Sequence, residues 1–247
     1  MNNQWLITVI LLLIGTPHLI EAQTGQKVGI NLTPTYSYYH ATTSGDGAND
    51  YTGAFDEVDE PRLGYSAGFT YARNLSSKIT LQGGIQFTDR GFRNVDNSGS
   101  FAGQINTQYG SVYDGANNSA IKLVTIVHHY YYLDIPVRFQ YNFTNRDWHF
   151  YSFAGLSPNV FLGHNRRAVK ELQTGEQEVS HTSKTEANIR PVNLQAFAGA
   201  GVGYHLNDKF EITAEPLYRL SLNSFNNNPN KYYFRSVGLQ VGGSYRF

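Results

Sequence analysis

The sequence contains no cysteine. That excludes a disulfide framework, a thiolate metal site and a lipid-modified cysteine anchor. It has no excess of charge either: Lys+Arg and Asp+Glu are 19 each over 247 residues. A surface built for nucleic acid is therefore not expected. Beyond residue 22 no segment approaches the eighteen or so consecutive apolar residues that a membrane-crossing helix requires. If the chain enters a bilayer, it must do so as a closed β-barrel, the other structure that satisfies every backbone group there.

What the sequence does have begins with an apolar run, Trp5 to Ile14, followed by Gly15-Thr-Pro17 and Leu19-Ile-Glu-Ala22. The run is too short to span a bilayer and reads as a signal-peptide core. Residues 1–22 are expected to be a signal peptide cleaved after Ala22, and residues 23–247 a single β domain directed to the cell outer membrane. Twenty-four glycines, eighteen tyrosines and fifteen phenylalanines are many for a water-soluble α/β protein.

Period-two alternation, the mark of strands with unlike faces, recurs along the chain. It predicts strands over 27–38, 62–72, 79–90, 129–143, 148–162, 192–206, 210–222 and 232–247. The connections alternate: a long loop at 39–61, a short turn at 74–78, a long loop at 91–128 (whose last part, 120–127, can extend the fourth strand). A four-residue turn at 144–147, a charged loop at 163–190, a tight turn at Asn207-Asp208 and an Asn-rich loop follow. This is the asymmetry of an eight-stranded antiparallel up-and-down transmembrane β-barrel, with short periplasmic turns and long extracellular loops.

A soluble barrel is the competing arrangement, and the distribution of charge decides against it. One face is predicted to carry Lys27, Arg62, Arg90, Asp134, Arg138, Lys209, Glu211, Glu215, Arg219 and Arg246, and the aromatic-rich face Arg235 alone, near a strand end. An Arg or Lys at the bilayer midplane costs about 2–4 kcal/mol, so the aromatic face is the one that meets lipid. Tyr71, Tyr141, Phe143, Trp148, Tyr204, Phe210, Tyr245 and Phe247 would ring the periplasmic interface. Tyr36, Tyr38, Tyr65, Phe87, Tyr131 and Tyr233 would ring the outer one.

The chain ends on an alternating strand in which Gln240-x-Gly242-x-x-Tyr245-x-Phe247 resembles the closing-strand signal of bacterial outer-membrane barrels. Those four residues are the candidate signal for the barrel-assembly machinery. Leu81-Gln-Gly-Gly-Ile-Gln-Phe-Thr-Asp-Arg-Gly91, Tyr132-Leu-Asp-Ile-Pro-Val137, Ala198-Gly-Ala-Gly-Val-Gly203 and the terminal Gly-Ser-Tyr-Arg-Phe add to this. Together they resemble the outer-membrane β-barrel family abundant in Bacteroidota, which includes PorT-like proteins associated with outer-membrane secretion machinery. The resemblance covers essentially the whole chain after residue 22. It implies outer-membrane lipids, the assembly machinery and a secretion or extracellular partner as associates, and it carries no catalytic residues.

Chemistry-bearing clusters are few. Asp134, Arg138, Glu215 and Arg219 are expected to point inward as a structural polar cluster, because an eight-stranded interior is just wide enough for side chains to fill. His129 and Ser152 share the lipid face, but the turn register expected at 144–147 sets them ten residues apart along the strands. At about 3.3 Å per residue that is roughly 30 Å, far beyond hydrogen-bond reach. Loop histidines His40, His164 and His181 leave a lipid-modifying enzyme as an alternative, and a narrow pore is another. The acidic loop from Asp46 to Glu60 has no calcium-loop spacing. No catalytic group, metal or cofactor is expected.

Overall fold

The computed structural model describes residues 25–43, 59–96, 121–144, 147–183, 188–227 and 230–247. The expected signal peptide and acidic residues 46–58 lie outside them. The described chain forms ten strands: β1 (Gln26–Thr43), β2 (Asp59–Asn74), β3 (Ile79–Asp96), β4 (Ile121–Asp134), β5 (Val137–Asn142), β6 (Trp148–Leu172), β7 (Gln177–Ser183), β8 (Val192–His205), β9 (Phe210–Ser221) and β10 (Asn230–Arg246).

β4 and β5 are one stave. Pro136 has no N–H to give the ladder, yet the pairing with β3 keeps its register from Gln86↔Asp134 to Gly83↔Val137. The groups around the break remain bonded: Gly84 N–H donates to the Pro136 carbonyl (3.0 Å) and Ile135 N–H to the Pro158 carbonyl (2.9 Å). Counted so, eight staves run antiparallel in the order β1, β2, β3, β4–β5, β6, β8, β9, β10, and β10 returns to pair with β1 from Lys27↔Arg246 to Thr43↔Asn230. The ring is closed, and a closed ring leaves no sheet edge in lipid.

The short turns are made by side chains that stand in for backbone. The hydroxyl of Ser76 accepts from the N–H groups of Lys78 and Ile79, and Asn207 Oδ1 accepts from those of Lys209 and Phe210 (both 2.9 Å). With the turn between β5 and β6 they lie at the same end as Gln26 and Phe247. At the other end the strands run further than their alternation suggested. The expected charged loop at 163–190 is instead mostly strand: β6 continues to Leu172, turns through Gly175 (φ 86°) and returns as β7. The positive φ requires a residue without a Cβ penalty. β3, β4, β6 and β7 together make a four-stranded sheet beyond the aromatic rim, where Val124, Ile126 and Ala168 are buried. Lys170, Glu171 and Glu178 gave this segment the look of a loop, because above the bilayer both faces of a sheet can be polar.

The barrel is apolar outside. Phe69 (72% exposed), Leu63 (68%) and Ile30 (62%) point outward with Leu32, Ile85, Phe139, Leu156, Ile212 and Leu239. The expected periplasmic aromatics Tyr71, Tyr141, Phe143, Trp148, Phe210 and Phe247 are exposed, as are Tyr36, Tyr65 and Phe87 at the outer end. Inside, β8 carries glycine where β6 carries rings. Phe153 lies opposite Gly199, Tyr151 opposite Gly201 and His149 opposite Gly203. A Cβ on Gly201 would meet the Tyr151 ring at 2.4 Å, and one on Gly203 the His149 ring at 2.3 Å. The run Ala198 to Gly203 is thus small on the lumen side so that the β6 rings can lie across it.

Candidate functional site: a lumen filled in layers

The inward residues of the eight staves fill the barrel in successive layers. Nearest the periplasmic turns, Glu211 is ion-paired to Lys27 and flanked by His149 and His205. In the next layer Glu215, 1% exposed, accepts from Arg138 Nη1 (2.6 Å) and Nη2 (2.7 Å), the Tyr151 hydroxyl (2.6 Å) and Gln240 Nε2 (2.6 Å). Arg138 also donates to Gln82 Oε1 and sits 4.2 Å over the Phe153 ring. A third layer holds Asp134, which accepts from Arg90 Nη2 (2.6 Å), Thr88 and Asn159, with the Arg90 guanidinium 4.6 Å over Tyr132. At the extracellular end Tyr130, Tyr132, Phe92, Phe225 and Phe234 pack as one aromatic cluster, with Tyr130 stacked on His164.

The four residues expected as one polar cluster are all buried, but they do not form one network. Arg138 takes Glu215, while Asp134 takes Arg90 and Thr88, and Arg219 joins the Asp134 side through Ser66 Oγ (2.8 Å), which is bonded in turn to Thr88. Asp134 and Arg138 are four residues apart on one stave, roughly 13 Å at 3.3 Å per residue, so each finds its partner on a neighbouring or facing strand. Arg90, Tyr151 and Gln240 complete these layers and were missed as members. The charge on Glu215 and Asp134 is compensated by guanidinium and hydrogen-bond donors on every side, the condition under which buried ions are tolerated. Between the layers lie cavities of about 30 Å³, lined by Gln82, Gln86, Asp134 and Arg219, and about 50 Å³, lined by Lys27, Glu211, Tyr151 and Glu215. Each has room for only a few waters.

Of the four assembly-signal residues, Gln240 and Gly242 face the lumen and Tyr245 and Phe247 the lipid. Gln240 bonds Glu215 and Thr33, and a Cβ on Gly242 would come within 3.0 Å of Thr213 Oγ1. Tyr245 packs edge-on against Phe210, ring centroids 5.2 Å apart, and Phe247 is exposed on the aromatic rim.

The outer wall departs from expectation in one place. Arg62 was assigned to the inner face, and Arg235 was to be the lone charge outside. Instead Asp89 pairs across the sheet with Tyr65 and Tyr131 and shares their outward face. Both Arg62 Nη atoms reach it (2.9 and 2.6 Å), as does His129 Nδ1 (3.1 Å). The cause is a register shift between Pro61 and Tyr65. A bulge re-aims a side chain, and here it carries the Arg62 guanidinium outward beside Gly91. His129 and Ser152 are further apart than their expected register. Ser152 pairs with Tyr141 and His129 with Asn165, thirteen residues away along β6. The expected facing of Phe143 and Trp148 is also corrected: Phe143 N–H bonds the Phe150 carbonyl. His164 and His181, expected in a loop, lie in β6 and β7.

A closed ring of eight antiparallel strands, apolar between two aromatic rims and ionic within, defines a transmembrane β-barrel of the outer-membrane kind. The chain belongs to the outer membrane protein beta-barrel domain family, whose model matches residues 20–225. The outer membrane is accordingly where it resides. Among solved structures it is similar to Neisserial surface protein A (14% identity over 92% of this chain and 100% of that one, TM-score 0.45). It is also similar to OprG from Pseudomonas aeruginosa (11%, 90% and 96%, 0.45) and to AlkL in lipid bilayers (12%, 94% and 95%, 0.45). No curated protein matches the chain.

Proposed function

We propose that the protein is a non-enzymatic outer-membrane scaffold, a sealed barrel that holds an extracellular sheet and its loops in place for a partner, as a component of an assembly of the PorT-like secretion kind. The observation that carries this reading is the lumen: three ionic layers and an aromatic cluster occupy its cross-section, and the cavities between them hold only a few waters. A solute path would need these layers to part, and each is bound into several strands. Working surface is then left to the extracellular end, where β3, β4, β6 and β7 rise beyond the aromatic rim. Loops on a rigid scaffold are where binding groups are usually carried. The partners of His129 are Asp89 and Arg62, so this histidine is tied into an ion pair rather than set against a nucleophile.

Cross-linking in native outer membranes tests the reading, with a photo-reactive residue at Val179 or His181 in β7. A discrete partner adduct, lost when 173–183 is replaced by a short turn while the barrel still inserts, is expected. Two outcomes would refute it. One is steady large conductance of the purified protein in planar bilayers, which favours a pore; the other is altered lipid A in a deletion strain, which favours a lipid-modifying enzyme.

A further inference from the structure

His149, His205 and Glu211 come from three different strands and converge at the periplasmic end of the lumen, beneath the layers that seal it. His205 and Glu211 are cross-strand partners, and His149 lies opposite Gly203, one inward position along β8 from His205. Because Gly203 has no side chain, the His149 ring lies across β8 and reaches Glu211 on the strand beyond. Its Nε2 is 3.3 Å from Glu211 Oε1, and His205 Nδ1 is 3.7 Å from Oε2. One donor atom from each residue falls within 4.8 Å of the others.

We propose that these three side chains form a binding site for a divalent transition-metal ion of the zinc type. Zn–N and Zn–O bonds of about 2.0–2.2 Å in a tetrahedral site put donor atoms roughly 3.3–3.5 Å apart. The contacts to Glu211, 3.3 Å to Oε1 and 3.7 Å to Oε2, stand close to that spacing, and the widest pair closes it by moving roughly 1.4 Å from 4.8 Å, which requires the stacked His149 and His205 rings, centroids 4.8 Å apart, to turn toward the carboxylate. Two imidazoles and one carboxylate suit zinc, copper or nickel, whereas calcium and magnesium require oxygen donors. The second observation is His149 itself. It is 5% exposed, yet its Nδ1 is buried without a hydrogen-bond partner. Buried polar groups are nearly always paired. The nitrogen left unpaired is Nδ1, whereas Nε2 faces Glu211, so the ring meets an ion either through Nε2 in place of that contact or through Nδ1 after turning about χ2.

Lys27 is the resident counter-ion of Glu211 and stands where a metal would compete for the carboxylate. Its side chain is 15% exposed and lies at the mouth, so the ammonium can withdraw toward the periplasm as the ion enters. The cavity of about 50 Å³ bordered by Lys27, Glu211, Thr213 and Tyr151 has room for a water to take the fourth position.

The test uses the untagged, full-length barrel purified in detergent and stripped with EDTA. Titration with Zn²⁺ by calorimetry, and with Co²⁺ by visible absorption, should show one saturable site and tetrahedral-type cobalt bands. His149→Ala and His205→Ala should each weaken Zn²⁺ binding at least tenfold. Lys27→Met should strengthen it about tenfold, and His164→Ala, at the far end of the barrel, should leave it unchanged. Heat-modifiable gel mobility verifies that each variant is folded. If His149→Ala does not fold, His205→Ala and Lys27→Met decide the matter alone. Stoichiometric binding that survives His205→Ala, failure of Lys27→Met to raise affinity, loss of binding in His164→Ala, or no saturable Zn²⁺ binding up to 100 μM would each overturn the proposal.

Discussion

Replacing Arg138 by methionine should be among the most destabilising single changes in the barrel. Glu215 lies in the interior, and two of the four hydrogen bonds to its carboxylate come from Arg138. Methionine roughly keeps the apolar stem but leaves the carboxylate held by two neutral donors, Tyr151 and Gln240. Stranding a buried charge in this way costs about 3–5 kcal/mol. Gln82 Oε1 loses its donor as well, worth about 1 kcal/mol if no water replaces it. Glu215→Gln should be of similar size, because it keeps an oxygen for Tyr151 while leaving the guanidinium buried opposite neutral groups. The double variant removes both charges and should cost only about 1–3 kcal/mol, so the two substitutions couple by 2 kcal/mol or more. Urea unfolding in lipid vesicles, followed by circular dichroism and by the heat-modifiable gel shift, measures all three. Single changes within about 1 kcal/mol of wild type, or a double that equals the sum of its parts, would refute the ionic-layer reading. The Arg138→Met barrel should also remain closed in planar-bilayer recordings, because Tyr151, Phe153 and Leu217 pack together there and the Arg90–Asp134 layer is untouched.

On the outer wall, Phe69→Arg or Val137→Arg in the apolar belt should cost about 2–4 kcal/mol in vesicle refolding, and Leu75→Arg at the periplasmic turn about 0–1; an equal penalty at the two depths would contradict the facing. Gly201→Ala should destabilise by about 1–3 kcal/mol, since its Cβ would strike the Tyr151 ring at 2.4 Å. Gly243→Ala, with nothing within 4 Å, should be tolerated, and the same assay ranks the two. Changing Tyr245 and Phe247 together to Ala should leave periplasmic, protease-sensitive chains, which fractionation and proteolysis would detect; wild-type levels of inserted barrel would show that these rings are not the assembly signal.

The staves, their facing and the aromatic rims were legible because each depends on one strand alone. Ile30, Leu32, Phe69 and Leu239 alternate with polar neighbours whatever lies beside them, and lipid demands that pattern. Which inward charge meets which was not legible. That is set by the stagger of the strands around the ring, which brings Glu215 to Arg138 and leaves Asp134 to Arg90. Nothing in a single strand encodes the stagger. The upper strands were hidden for a different reason. In Arg166 to Leu172 charged residues occupy both parities, and in Gln177 to Ser183 polar residues do, because that sheet stands in water rather than lipid.

The outward cluster of Arg62, Asp89 and His129 shows where alternation itself stops being a guide. Asp89 has the same parity as Ile85 and Phe87, so alternation alone sets a carboxylate on the lipid side. What makes the position tolerable is depth and partnership together. Asp89 lies one position beyond Phe87 in the outer rim, where the penalty for charge has fallen to about 0–1 kcal/mol. The shifted register between Pro61 and Tyr65 then delivers a guanidinium to it from the neighbouring strand. The pair is neutral as a unit. The same rule that fills the lumen with matched layers therefore operates on the outer wall, in the zone where the membrane allows it.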